Sequence, residues 1–381
     1  MTDNKTEAEL LKELRNKIDD IDSKIGELFS ARAQCALDVA SVKSSFADEE
    51  KAAGNAEEKA ESAPKTFYRP EREAQVLRRA MERNNGPLKD EEVGRLFREL
   101  MSACLALENP IHVAYLGPEG TYTQEAALKH FGHSAVTVSM SAIDAVFREV
   151  ASGAVHYGVV PVENSTEGVV SHTLDNFIDS SVNICGEVVL RIHHHLLVSD
   201  VTHVNSITRI YSHSQSLGQC RKWLDEHYPN AERIAVSSNS EAAKRIKGEW
   251  NSAAIAGEIA ANLYGLKSIA KNIEDRPDNS TRFLIIGRED VKPSGDDKTS
   301  IVVSMKNQPG ALHELLEPFN RFNVDLTRIE TRPSPSGAWN YVFFIDFSGH
   351  MADEKIKSAL QEVKQRAADV KILGSYPIGV L

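Results

Sequence analysis

The chain has 381 residues, 41% of them hydrophobic and 26% charged, with a formal net charge of -11, a globular composition long enough for two to three domains. The acidic balance argues against non-specific binding to nucleic acid or to an anionic membrane, while a small anionic ligand in a local basic pocket stays compatible. Four scattered cysteines (Cys35, Cys104, Cys185, Cys220) without a C-x-x-C pair suggest neither a zinc ribbon nor a disulfide framework, and a polar start with no long apolar run predicts a cytoplasmic chain, neither exported nor anchored.

From Glu7 to about Lys43, Leu14, Ile18, Ile21, Ile25, Leu28, Cys35, Val39 and Val42 recur in steps of four and three. This is the stripe of a long amphipathic helix, too long for the short helices after it to cover, so a partner chain is expected. Residues 44–65 are rich in Ala, Glu and Lys and read as a flexible linker. A second helix opens at Pro70 and ends near Asn84-Asn85-Gly86; a third runs from Asp90 to just before Pro110, with Val93, Phe97, Leu100, Cys104 and Leu107 on its apolar face.

At Ile111 the pattern becomes α/β. IHVAYLG reads as a buried strand entering a helix through GPEGTYT; VHYGVVPVE, an NSTEGVVSHTLDNFID helix, a long VVLRIHHHLLV strand and further alternating signals follow, down to the strand of DNSTRFLIIG. The long central strand is expected to carry the chain between two lobes, with ligands favoured in the cleft between them. After a Pro/Gly/Asp linker at 290–298, the order βαββαβ is that of a ferredoxin-like module. The expected domains are 1–109, 111–289 and 298–381.

Arg32 interrupts the apolar stripe, and a guanidinium there wants an anion. Lys43, three turns on, shares its face; Arg15 points roughly 100° away and suits a partner's site. A helical dimer with snorkelling cations at its seam explains the same pattern. Thr281 and Arg282 enter a strand from a polar turn, which is equally ordinary turn chemistry. Three successive histidines, His193 to His195, lack an accompanying ligand cluster, and no metal is expected.

Taken together, LRNKIDDID, Arg32, Lys43, YRPEREAQVL and ACLALE resemble the all-α chorismate mutase domain. VAYLGPEGTYTQEAA, VPVENSTEG, IYSHSQSLGQC and DNSTRFLIIG are similar to prephenate dehydratase motifs, with a bilobal, periplasmic-binding-protein-like fold; PGALHELL and IETRPS resemble the phenylalanine-binding ACT module. In this order they resemble the bifunctional chorismate mutase/prephenate dehydratase family over nearly the whole chain, except residues 44–65. The resemblance implies a mutase site with Arg15 from one subunit and Arg32 from the other on carboxylates, Lys43 at the ether oxygen and Glu73 at the ring hydroxyl. Arg72, Arg69, Cys104 and Glu108 lie nearby, and Glu108 donates to the ether oxygen only if protonated. Arg69 and Cys104 stand where the family pattern has aspartate and serine, and a thiol is a weaker donor than a hydroxyl. For the dehydratase the resemblance implies Thr281 at the leaving hydroxyl and Arg282 at a carboxylate, with Asn164, Ser212 and Gln219 across the cleft. For phenylalanine it implies Asn307, Gly310, Ala311, Leu312, Glu330, Thr331 and Arg332. No cofactor is implied; the partners are chorismate, prephenate and phenylalanine, in a homodimer or dimer of dimers. The rival expectation is a non-enzymatic sensor whose α/β domain binds a solute and whose helical arm dimerises.

Overall fold

The computed structural model describes residues 6–52, 68–306, 308–333 and 341–381. Three helices come first: α1 (Glu7–Ala52), α2 (Pro70–Glu82) and α3 (Asp90–Glu108). α1 runs nine residues past Lys43, into the stretch expected to be linker. Ala, Glu and Lys are strong helix formers, so the helix outlasts its apolar stripe; the rest of that stretch, from 53, lies outside the described residues. The stripe is open to solvent, with Ile18 and Val42 55% exposed and Leu28 68%. Where α1 meets α3, Arg32, Ala33, Ala36 and Ala40 are half-buried. Phe97 and Leu107 of the expected apolar face of α3 are also exposed, while Arg98 and Ser102 are buried on its other side.

The next elements build a sheet. β1 (His112–Leu116), α4 (Tyr122–Phe131), β2 (Val136–Met140), α5 (Ile143–Ser152), β3 (Tyr157–Asn164), a short β4 (Gly168–Val169), α6 (Ser171–Asp179) and β5 (Asn183–Arg191) follow in turn. The expected helix at NSTEG is corrected. Asn164 still belongs to β3; its Oδ1 accepts from the amides of Thr166 and Glu167, and Gly168 adopts φ +84°, so a turn occupies this stretch and the helix waits until Ser171.

The long central strand is corrected too. β5 stops at Arg191, and β6 (His195–Val198) belongs to a second sheet, because residues 192–194 carry the chain across. β7 (Arg209–His213), α7 (Ser214–Gln219), α8 (Arg221–His227), β8 (Glu232–Val236), α9 (Asn239–Arg245), β9 (Ser252–Ala256), α10 (Glu258–Tyr264) and β10 (Lys267–Ala270) complete that sheet in the order β10-β6-β9-β7-β8. β11 (Ser280–Gly287) returns to the first sheet, β2-β1-β3-β11-β5, antiparallel to both β3 and β5. The chain thus crosses twice, which leaves a cleft between two lobes.

β12 (Asp297–Met305), α11 (Ala311–Arg321), β13 (Leu326–Pro333), β14 (Tyr341–Ser348), α12 (Glu354–Arg366) and β15 (Asp369–Pro377) follow the expected βαββαβ order, with sheet order β13-β14-β12-β15. One face of this sheet holds Phe343, Ile345 and Phe347 against α11 and α12. The other, with Val302, Val342, Phe344 and Leu373, joins Val146, Val160 and Leu284 of the first sheet in one core. Burial at ~25 cal/mol per Å² makes that shared core the main adhesive between the two. Among the described residues no helix is long and apolar enough to cross a membrane.

Gly374 marks the closest approach. Its φ is +150°, and a Cβ there would overlap the Ile184 carbonyl of β5. Gly374→Ala should therefore destabilise the docking of the C-terminal module by about 1–3 kcal/mol, seen as a lower or split transition in thermal unfolding; an unchanged melt would show that the backbones can part without cost.

Candidate active sites

Thr281 stands at the start of β11, opposite Asn164 at the end of β3, on the wall of the cleft. Asn164 Nδ2 donates to Thr281 Oγ1 at 2.8 Å and to Asn279 Oδ1 at 3.0 Å. Gln219 Oε1 accepts from Asn279 Nδ2 at 3.1 Å and from His194 Nε2 at 2.8 Å. His194 Nδ1 in turn accepts from the Tyr122 hydroxyl at 2.9 Å, whose oxygen also lies 2.7 Å from the His193 carbonyl. The chain of contacts fixes proton positions: a Gln219 oxygen that accepts twice requires hydrogen on His194 Nε2. His194 is 1% exposed, and burial lowers its pKa, so the ring is neutral at pH 7 and acts as an orienting donor. Gln219 Nε2 is buried without a hydrogen bond among the described residues, a donor available to a ligand oxygen.

Of these, Asn164, His194, Gln219 and Thr281 line a cavity of about 290 Å³ together with Gly117, Gly120, Thr121 and Tyr122 of the GPEGTYT loop. Ser212 sits one row behind: fully buried, its Oγ lies 2.9 Å from Asn239 Oδ1, and Asn239 Nδ2 reaches Ser216 Oγ. Arg282 is not on the cleft. Side chains alternate along a strand, and its guanidinium emerges on the far side, on Glu187 at 2.8 Å, Asp346 at 2.6 Å and the Tyr376 hydroxyl at 3.0 Å. Among the described residues lining the cavity none is Arg or Lys; Lys222 and Arg276 line an adjoining cavity that shares Gln219.

Tyr122, His194, Asn239, Asn279 and Glu274 were not singled out from the sequence. The three histidines did draw notice as a run, and they have three separate partners. His193 Nδ1 lies 2.8 Å from Glu274, His194 faces the cleft, and His195 Nδ1 accepts from the Asn272 amide. Glu274 also accepts from the His194 amide at 2.9 Å; burial works against its charge, but these hydrogen bonds prevail and lower its pKa.

On the helices Arg15 and Arg72 are exposed, Arg32 and Glu108 half-buried, Arg69 exposed just ahead of α2, and Cys104 4% exposed. The Lys43 side chain lies outside the described residues. Glu73 turns toward the α/β domain, where Arg98 Nε reaches it at 3.1 Å and Arg98 Nη1 reaches the Lys129 carbonyl. Burial raises the Glu73 pKa, with Arg98 opposing. Glu73 is therefore engaged within the chain.

In the C-terminal module, Gly310 caps α11 and Ala311 and Leu312 begin it, beside Met305, Tyr341 and Phe343 around a cavity of about 250 Å³. Gly310 takes φ +86°, a conformation glycine adopts freely. Asn307 lies outside the described residues. Glu330 and Thr331 are on β13 beside this strand pair and do not line the cavity, and Arg332 is directed elsewhere, onto Asp175 of α6 at 2.8 and 2.9 Å.

Three family models match the chain: chorismate mutase type II over residues 14–109, prephenate dehydratase over 113–291 and the ACT domain over 299–365. A bifunctional chorismate mutase/prephenate dehydratase of Stutzerimonas stutzeri is 63% identical over 376 residues, 99% of this chain and 100% of the relative. The protein of the same description from Pseudomonas aeruginosa is 63% identical, with 97% and 98% covered. A solved prephenate dehydratase in complex with L-Phe from Arthrobacter aurescens is 33% identical with a TM-score of 0.65, over 70% of this chain and 90% of that one.

Beside Glu73 and Arg98, His130 Nε2 is 3.2 Å from the Tyr68 hydroxyl, and burial followed by Arg98 pushes its pKa down to about 3. The unfolded chain protonates this histidine near the ordinary value of ~6.5. Between those values the unfolded state binds more protons, so stability falls as pH falls. His130→Gln should flatten the Tm–pH curve between pH 6.5 and 4 relative to the parent; parallel curves would show that His130 is not responsible.

Proposed function

The chain belongs to the bifunctional chorismate mutase/prephenate dehydratase family, and from that premise we propose which of its residues carry each reaction. It converts chorismate to prephenate and prephenate to phenylpyruvate, under feedback inhibition by phenylalanine. Two independent chemistries need two sites.

The hydrogen-bonded pair of Thr281 and Asn164 carries the dehydratase assignment. Prephenate must lose carbon dioxide and its ring hydroxyl, and the aromatic product drives the reaction once hydroxide can leave. Because Thr281 Oγ1 accepts from Asn164, its own hydrogen is free to point into the cavity and onto the leaving oxygen. Threonine is too weak an acid to supply a free proton, so it donates or relays. Gln219 Nε2 and the loop amides at the start of α4 offer donors for the carboxylates, with Lys222 and Arg276 contributing positive potential at the mouth.

The mutase reaction is a unimolecular rearrangement; a protein helps by holding both carboxylates and stabilising charge on the ether oxygen. Arg15 and Arg32 are seventeen residues apart on α1, roughly 26 Å at 1.5 Å per residue. One chain cannot place both on one small substrate. We therefore assign the site to two copies with antiparallel α1 helices, Arg15 from one and Arg32, Lys43, Arg72, Cys104 and Glu108 from the other. The exposed stripe of α1 supports that pairing. Glu73 joins the site if pairing draws it from Arg98. Phenylalanine is assigned to the cavity at Gly310, Ala311 and Leu312, where amides at the start of α11 suit its carboxylate and Phe343 its ring. We place the enzyme in the cytoplasm, in line with four unpaired cysteines.

The first experiment gives the purified protein chorismate or prephenate, with and without phenylalanine. Phenylpyruvate should form from both and be suppressed by phenylalanine; failure with either substrate removes that site from the assignment. Thr281→Ala should lose about a hundredfold in prephenate turnover and leave chorismate consumption intact. Near-normal dehydratase rates in that variant would end the role of Thr281. Since Glu108 donates to the ether oxygen only when protonated, mutase activity should rise as pH falls from neutral, and Glu108→Gln should abolish the slope. A flat parent profile refutes this.

A further inference from the structure

We propose that Arg282 is a positioning residue for the dehydratase reaction, and that the C-terminal module holds the catalytic strands through ion pairs set one residue behind Thr281 and Asn164. This rests on the assignments of Thr281 and of the phenylalanine cavity made above, and it gives those two sites a physical connection.

In the β3/β11 pair Thr281 lies opposite Asn164, and Arg282 opposite Glu163. The first two face the cleft. Behind them, Arg282 Nη1 donates to Asp346 of β14 at 2.6 Å, and Glu163 pairs with Arg328 of β13 at 3.2 Å. Asp346 and Arg328 are themselves register partners. Two charges of opposite sign on the catalytic strands thus meet two on the module, each with its complement. Arg282 is further held by Glu187, which Lys298 of β12 neutralises at 2.9 Å, and by Tyr376 of β15. The side chains of Arg282, Glu187 and Asp346 are 14%, 4% and 8% exposed. Buried charges are weakly screened, so losing one partner leaves the other strongly destabilised and free to move. A planar guanidinium filled on three sides fixes its own backbone, and with it that of Thr281 next in the chain.

The same strand reaches the regulatory cavity. In β14, Tyr341 and Phe343 line the cavity, while Phe344 and Asp346 face the dehydratase sheet. Phe343 and Asp346 are three residues apart, roughly 10 Å along the strand. A ligand that shifts Phe343 acts on the strand that carries the partner of Arg282, and a displacement well under 1 Å at Thr281 suffices to slow the reaction.

The test uses full-length Asp346→Asn, which keeps the shape and removes the charge. The expected result is a fall in prephenate kcat of about tenfold with KM within about twofold. Chorismate consumption should stay at the parent rate, and phenylalanine should still bind by calorimetry while inhibiting the dehydratase at least several-fold less. Loss of fold would instead remove both chorismate consumption and phenylalanine binding. In that event Glu163→Gln, at a side chain 42% exposed, becomes the deciding variant, with a several-fold fall in kcat and weakened inhibition expected. Parental kcat and full inhibition in a variant that binds phenylalanine overturn the proposal. A parent protein that leaves prephenate untouched, or ignores phenylalanine, overturns the assignments beneath it.

Discussion

Successive side chains of a β-strand point to opposite faces, and in β11 that alternation divides the chemistry proposed for Thr281 from the support proposed for Arg282. Thr281 meets Asn164 at the cleft; Arg282 leaves by the other face into a buried cluster shared with β5, β12, β14 and β15. Each charge in that cluster would be costly alone, and the cluster persists because every guanidinium or ammonium finds a carboxylate. The apolar core around Val302, Phe344 and Leu284 supplies most of the adhesion; the ions fix the register of the two sheets.

The hydrogen-bonded row that ends at Thr281 is built from neutral groups, while Glu167, Lys222, Asp275 and Arg276 line the adjoining cavities. Amides, hydroxyls and one neutral imidazole form a continuous hydrogen-bond chain from Tyr122 through His194, Gln219, Asn279 and Asn164 to Thr281. His194 and Asn279 both donate to Gln219 Oε1, and Asn164 donates to Asn279 and to Thr281 Oγ1, so the amides and the threonine oxygen are held in place within the chain itself. Dianionic prephenate would meet oriented dipoles there, with cations kept at the edge.

The helical part obeys a different constraint. α1 is 46 residues long, and its Leu and Ile side chains are half exposed or more along much of the stripe. Covering each stabilises by roughly 1.5–3 kcal/mol. In the pairing proposed above, a second copy of the same stripe would supply that cover while bringing Arg15 toward Arg32, so that assembly and mutase chemistry would share one requirement. No comparable demand exists in the α/β domain, whose core closes within the chain.

Local patterns carried a great deal. The four-three stripe predicts α1, Pro70 opens α2, and the βαββαβ order of the C-terminal module follows from periodicity and turn residues. The motif order is enough to identify the family. Thr281, Asn164 and Gln219 are likewise named by their motifs and meet across the cleft. What sequence spacing cannot carry is direction across long separations. Arg282 sits beside Thr281 in the chain, yet its partners Glu187 and Asp346 are 95 and 64 residues away; Arg332 is claimed by Asp175, and Glu73 by Arg98. In the sequence His194 is one of three successive histidines without a role; Gln219 and Tyr122 beside it supply one. Sequence determined which elements form and which residue types reach the neighbourhood of each site, because those depend on contacts within a few turns. The faces they occupy and the charges they meet were decided by tertiary structure, because a buried guanidinium goes wherever folding has placed a carboxylate.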